Sequence, residues 1–131
     1  MTGVALSIRQ PWATLVVFGI KRIEIRRWST QRTGPVLIHA GRLPDKRREA
    51  WDLLPERYRE FAALRGGLVG AVTLIGCRTY RNTRQFRRDT RWHCNRPEWF
   101  QPPVMYGFEF ADAAPIAFRP VKGQLYFFPV Q

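Results

Sequence analysis

The sequence predicts a single α+β domain over residues 1–131, and three observations carry that expectation. Runs of alternating apolar and polar residues, bounded by Gly and Pro, mark strands at both ends and in the middle of the chain. Segments with helical spacing of apolar residues fall between them. With 131 residues, 45% hydrophobic and 14% aromatic, the chain can bury one real core, about two-thirds of its unfolded surface at this size.

The elements follow in order. Residues 4–9 alternate, so a first strand turns Val4, Leu6 and Ile8 inward and leaves Ser7 and Arg9 on the opposite face. A helix of about two turns starts at Gln10-Pro11, with Pro11 at the first helical position, where its missing N–H has no intrahelical partner. Gly19 suits the left-handed residue that closes it. Residues 21–28 alternate again, with Ile23 and Ile25 toward the core and Arg22, Glu24, Arg26 and Trp28 sharing the other side.

After a turn at Arg32-Thr33-Gly34-Pro35, residues 36–40 read as a mostly buried strand. His39 within it reads as a hydrogen-bonded core histidine. Residues 45–65 carry apolar positions near helical spacing, split by Pro55 into two helices. Residues 68–80 form a central strand. Asn82 or Thr83 caps a short helix through Asp89, on which Arg81, Arg84, Arg88 and Arg91 form one basic ridge. Residues 92–104, with three prolines, read as a loop carrying Trp92 and Trp99, before two last strands at 105–110 and 125–130.

Charge narrows the function. The chain has 22 Lys and Arg against 10 Asp and Glu, a net +12, on a composition too apolar for disorder. No basic start with a long apolar run and no stretch of ~18 apolar residues is present, so a cytoplasmic protein without a membrane partner is expected. Cys77 and Cys94 show neither CxxC nor paired His spacing. Neither a disulfide framework nor a metal is expected, and the adjacent pair His93-Cys94 is poorly placed to chelate. No cofactor is called for.

The strings LSIRQPWA (6–13), GIKRIEIR (19–26), WST (28–30), RTGPVLIHA (32–40) and PVKG (120–123) together resemble the ASCH domain, the homology domain of activating signal cointegrators. The resemblance covers about a third of the residues closely, and the basic middle region least. It implies a PUA-like β-barrel with flanking α-helices, a fold commonly associated with RNA, and a cleft beside the segment GxKxxExR, here Gly19, Lys21, Glu24 and Arg26. A small enzyme branch hydrolyses the acetyl amide of acetylcytidine with a Lys that Lys21 matches. Glu24 stands where that branch has Thr, and Asp89 is the nearest candidate for its downstream acid. Another member has been regarded as a ribonuclease, for which Glu24 with Lys21 or Arg26 would supply a base and a cation.

Two candidate surfaces result. In the cleft, Lys21, Glu24 and Arg26 form either a ligand-facing site or an ordinary strand salt bridge. Ser7, Arg9 and Gln10 join its floor, Trp12 and Trp28 either stack a base or fill the core, and Lys122 stands at the rim with Gly123. Outside it, Arg78, Arg81, Arg84, Arg88 and Arg91 are interleaved with Tyr80, Phe86 and Trp92. That pattern suits phosphate contact more than a solvated face, because residues 76–100 hold seven Arg and only two acids. RNA or single-stranded nucleic acid, with DNA also open, is the expected partner. Hydrolysis of acetylcytidine or RNA, and a module docking an acidic protein, are the alternatives.

Overall fold

A computed structural model describes residues 3–131; Met1 and Thr2, counted in the expected domain, lie outside the described residues. Six strands form one mixed sheet. They are β1 (Gly3–Ile8), β2 (Ile23–Arg26), β3 (Gly34–Ala40), β4 (Gly67–Tyr80), β5 (Met105–Pro120) and β6 (Phe127–Val130). The order across the sheet is β2-β5-β4-β3-β1-β6, with β1 and β3 parallel and every other neighbour antiparallel. Four short α-helices, α1 (Trp12–Val17), α2 (Arg48–Asp52), α3 (Thr83–Arg88) and α4 (Thr90–His93), sit in the connections.

The sheet curls because its two longest strands are irregular. Between β4 and β5 the register shifts at Leu68/Gly70, Ala71/Thr73 and Leu74/Gly76, and each extra residue bends the strand and tightens its twist. The result is a half-barrel. Its edge strands β2 and β6 share no ladder, and aromatic side chains cover the seam. Trp28, just beyond β2, meets Phe127 of β6 edge-on at 5.5 Å and both Phe108 and Tyr126 at 4.9 Å.

Helix α1 plugs the inside of this curl, and all six of its residues are buried. Five of the six are apolar and the sixth, Thr14, has its hydroxyl bonded to Gln10, so the helix has no solvent face to keep. Its side chains join Leu6, Ile8, Val36, Ile38, Val69, Val72, Leu74, Phe108 and Phe110 in the main core. Gly70 lets the helix lie flush on β4, since a Cβ there would stand 2.3 Å from Val17 Cγ2. Ala5, Leu37, Leu68, Phe128 and Val130 form a second core, so β1 is buried on both faces.

Several expected elements are corrected. Pro11 is the N-cap residue of α1 and not its first helical position. The second helix expected after Pro55 is two single 3-10 turns, Glu56–Tyr58 and Phe61–Ala63, too short to continue. The strand expected to stop at residue 110 runs on to Pro120, because pairing with β4 holds an Ala- and Pro-rich stretch that no apolar alternation marks. β6 begins at Phe127 and not at Leu125. Trp92 belongs to α4 and Trp99 to a 3-10 turn, Pro97–Trp99, and neither lies in open loop. The single ridge helix is divided: Arg84 and Arg88 lie on α3, Arg91 on α4, and Arg81 before both.

Candidate functional site

Helix α1 sets up the site by the way it ends. Gly19 takes φ +75°, and the backbone N–H groups of Ile20 and Lys21 both donate to the carbonyl of Leu15, at 2.9 and 3.0 Å. The chain is thereby turned back on itself, as a left-handed glycine cap does. Lys21 is left beside the helix just before β2, whose pairing with β5 places Glu24 opposite Phe108 and Arg26 opposite Tyr106. Strand alternation alone puts Lys21 across from Glu24. Because Lys21 precedes the strand, its ammonium reaches Glu24 Oε1 at 3.6 Å.

Lys21 is only 2% exposed. Its Nζ donates to the His93 carbonyl at the end of α4 and lies 4.8 Å from the centroid of the Trp12 ring. Burial pushes its pKa below the ordinary lysine value, against the pull of Glu24. Glu24 Oε2 receives Arg26 on the other side, with Nη2 at 2.9 Å. Arg26 Nη2 also donates to the Ser7 carbonyl at 2.8 Å, so this guanidinium crosses from β2 to β1 over the open seam. A carboxylate held between two cations, one buried and one half-buried, forms the floor.

Above that floor opens a cleft of about 880 Å³, lined by Ser7, Arg9, Trp12, Lys21, Glu24, Arg26, Trp28 and Lys122 among others. Gln10 is absent from it. Fully buried, Gln10 accepts from the Thr14 N–H and hydroxyl at 3.0 and 2.6 Å and donates to the Leu64 carbonyl at 3.2 Å. It braces the start of α1. Trp12 is a fixed wall: its Nε1–H donates to Asp45 Oδ2 at 2.8 Å. His39, read from sequence as a core histidine, is buried yet lines the cleft. Its Nε2 lies 2.7 Å from the Val121 carbonyl, which only accepts, so Nε2 carries the hydrogen and Nδ1 accepts from the Ser7 hydroxyl at 2.9 Å.

Sequence reading missed Asp45, Arg47, Arg42, Gln124, Leu125 and Tyr126, all of which line the cleft. They come from the β3–α2 and β5–β6 connections, where no periodicity marks a residue. The one signal was the excess of charge. Seven cations face the cleft (Arg9, Lys21, Arg26, Arg27, Arg42, Arg47 and Lys122) against Glu24 and Asp45. Arg22, expected on the same side as Glu24, instead lines a separate hollow of about 500 Å³ with Trp92, Arg78 and Glu109. Its guanidinium lies 5.1 Å from the Trp92 ring centroid.

In the basic segment, Arg78 is tied to Glu109 at 3.1 Å and to Asp89 at 2.9 Å. Asp89 also accepts from the Tyr80 hydroxyl at 2.6 Å, and it lines neither the cleft nor the smaller hollow. Arg81, Arg84, Arg87 and Arg88 are exposed with no ion pair among the described residues, and Arg91 stacks on Trp92 at 4.4 Å. Asn82 caps α3 by accepting from the Gln85 N–H at 2.8 Å. Among the described residues no three His, Cys, Asp or Glu side chains gather to hold a metal ion, and no helix is long and apolar enough to cross a membrane.

A curled mixed sheet plugged by a buried helix, with its cleft at the open seam, is the PUA-like architecture. Comparison with solved structures agrees: a crystal structure of ASCH from Zymomonas mobilis superposes with a TM-score of 0.69 over 98% of this chain and 87% of that one, at 14% identity. A mutant of the same bacterial protein gives 0.68. The model of the ASCH domain matches residues 6–121, and the chain belongs to the ASCH domain family. It is similar to activating signal cointegrator 1 of Mus musculus, 40% identical over 83 residues, and of Homo sapiens, 35% identical over 88. Each match takes in 57% of this chain and 14% of the relative, so the similarity spans about a seventh of those proteins.

Proposed function

We propose that this chain, as a single ASCH domain, binds RNA or another single-stranded nucleic acid and holds a nucleotide in the cleft above Lys21, Glu24 and Arg26. The observation that supports this most is the floor itself: a carboxylate flanked by two cations, kept out of bulk water and opening into a hollow with a strongly cationic lining. Glu24 accepts from the amino or ring N–H edge of a base, while Arg9, Arg42 and Lys122, exposed and without ion pairs among the described residues, neutralise phosphates. Arg81, Arg84, Arg88 and Arg91 extend the phosphate track along α3 and α4, with Arg78 behind them held by its two acids. Titrating a labelled single-stranded RNA, and the matching DNA, between 50 and 200 mM salt tests the reading. Log K should fall linearly with log salt, by about 0.7 per phosphate neutralised. Absence of binding at 50 mM salt would end it.

A second reading, hydrolysis of an acylated nucleoside such as acetylcytidine, is favoured by one observation. Lys21 is a buried amine with a lowered pKa beside a carboxylate in a cleft, the setting of many catalytic lysines. In that reaction water adds to the acetyl carbonyl, the amide C–N bond breaks, and cytidine and acetate leave; Lys21 steadies the oxyanion and Glu24 moves the proton. RNA cleavage by the same pair is its variant. The acid expected from the family pattern, Asp89, stays with Arg78 and Tyr80. Release of acetate from acetylcytidine by wild-type protein but not by Lys21→Ala would favour this reading over simple binding.

A further inference from the structure

Asp45 and Arg47 form a densely hydrogen-bonded unit in the cleft, and neither belongs to the floor described above. Arg47 Nε and Nη2 donate side-on to the Asp45 carboxylate, Nη2 at 2.7 Å, and the Arg47 backbone N–H adds a bond of 2.8 Å. Burial pushes the Asp45 carboxyl up, but the bonds from Arg47 and Trp12 outweigh it and hold the pKa at about 2. The guanidinium lies 3.9 Å from the centroid of the Trp99 ring, and Trp99 meets Trp12 edge-on at 6.3 Å. Asp45 is further fixed by its carbonyl, which accepts from Trp51 Nε1 at 2.7 Å. The Arg47 side chain nevertheless remains 47% exposed and lines the cleft.

An arginine whose fork is already filled by a carboxylate has little charge left for a phosphate. What it offers is its plane, backed by the Trp99 indole and turned to the cleft that the side chain lines. We propose that Arg47, braced by Asp45 and backed by Trp99, is a second subsite of the cleft that stacks a nucleobase adjoining the one held near Lys21, Glu24 and Arg26. This rests on the nucleic-acid reading. The Trp12 indole links the two subsites, touching Asp45 through Nε1 and Lys21 through its ring. The cleft volume of about 880 Å³ is near the top of the ~300–1,000 Å³ range of small-ligand pockets, with room for more than one base.

The test uses the full chain with two probes, adenosine monophosphate and a short single-stranded RNA carrying one 2-aminopurine. Wild-type protein should quench the 2-aminopurine emission on binding. Arg47→Lys keeps the charge and loses the plane; it should relieve the quenching and weaken the oligonucleotide about tenfold, within the ~1–3 kcal/mol range for base stacking. Its affinity for the mononucleotide should change less than twofold. Arg47→Gln, planar but neutral, should keep part of the quenching, and thermal melting should show both variants folded. Equal quenching and affinity in wild type and Arg47→Lys would overturn the subsite and leave the nucleic-acid reading standing. So would equal losses for both probes, or losses in Arg47→Gln greater than in Arg47→Lys. Failure of wild-type protein to bind either probe would remove both.

Discussion

Lys21 and Arg84 carry the same charge in opposite settings. Lys21 is buried, bonded to a carbonyl, packed over an indole and paired with Glu24. Arg84, on α3, is exposed and unpaired among the described residues. A buried charge persists only where fixed partners replace its water, so it marks a place where geometry matters. An exposed cation needs no partner, and its use lies in the summed field of its neighbours. The cleft is thus built for position, and the α3–α4 surface for charge.

That contrast can be broken from either side. The largest effect is expected in the floor. Glu24→Gln leaves the Lys21 ammonium with a carbonyl and a ring, and removing one partner of a buried pair should lower stability by ~3–5 kcal/mol in urea unfolding at pH 7. A loss below ~1 kcal/mol would mean that Lys21 is not held as described.

The next largest is pH dependence. His93 is fully buried, its Nε2 is 2.7 Å from the Phe86 carbonyl, and burial brings its pKa down to about 4. The unfolded chain therefore takes up this proton first. Stability tied to neutral His93 is complete above pH 6.5 and is lost as pH falls from there toward 4, by up to ~3 kcal/mol at ~1.4 per pKa unit. Urea titrations in wild type and His93→Gln check it, and the same slope in both would assign the loss elsewhere.

Smaller effects sharpen the comparison. Trp12→Phe keeps the ring under Lys21 but removes the N–H donated to Asp45, which should cost about 1.5 kcal/mol and raise the Asp45 pKa, measurable by NMR titration. Paired Arg84→Glu and Arg88→Glu should move stability by less than ~0.5 kcal/mol. They should also reduce the salt slope of single-stranded RNA binding by ~1.4, two contacts at 0.7 each. An unchanged slope would take α3 off the phosphate track.

Much of the fold was legible where local chemistry decides it. Alternation marked β1 and β2, a continuous apolar run after Gly34-Pro35 marked β3, Gly19 marked the end of α1, and the pair Asn82-Thr83 marked the start of α3. The second half of β5 was not legible, because an Ala- and Pro-rich strand is held by partner β4 and not by its own pattern. In the floor, motif spacing pointed to Lys21, Glu24 and Arg26. Asp45 and Arg47 escaped notice because they lie in a connection that only packing brings to Trp12.

By itself the sequence determined where β1, β2 and β3 lie and where α1 ends, and that the molecule is strongly cationic, since these follow from short-range sterics, periodicity and composition. Only the tertiary structure decided which cations are paired and which are free, that Gln10 braces a helix while Arg47 faces the cleft, and that the site opens at an unladdered seam. Those outcomes depend on contacts between residues far apart in the chain, and burial, which sets the meaning of every charge here, exists only once the sheet has curled around α1.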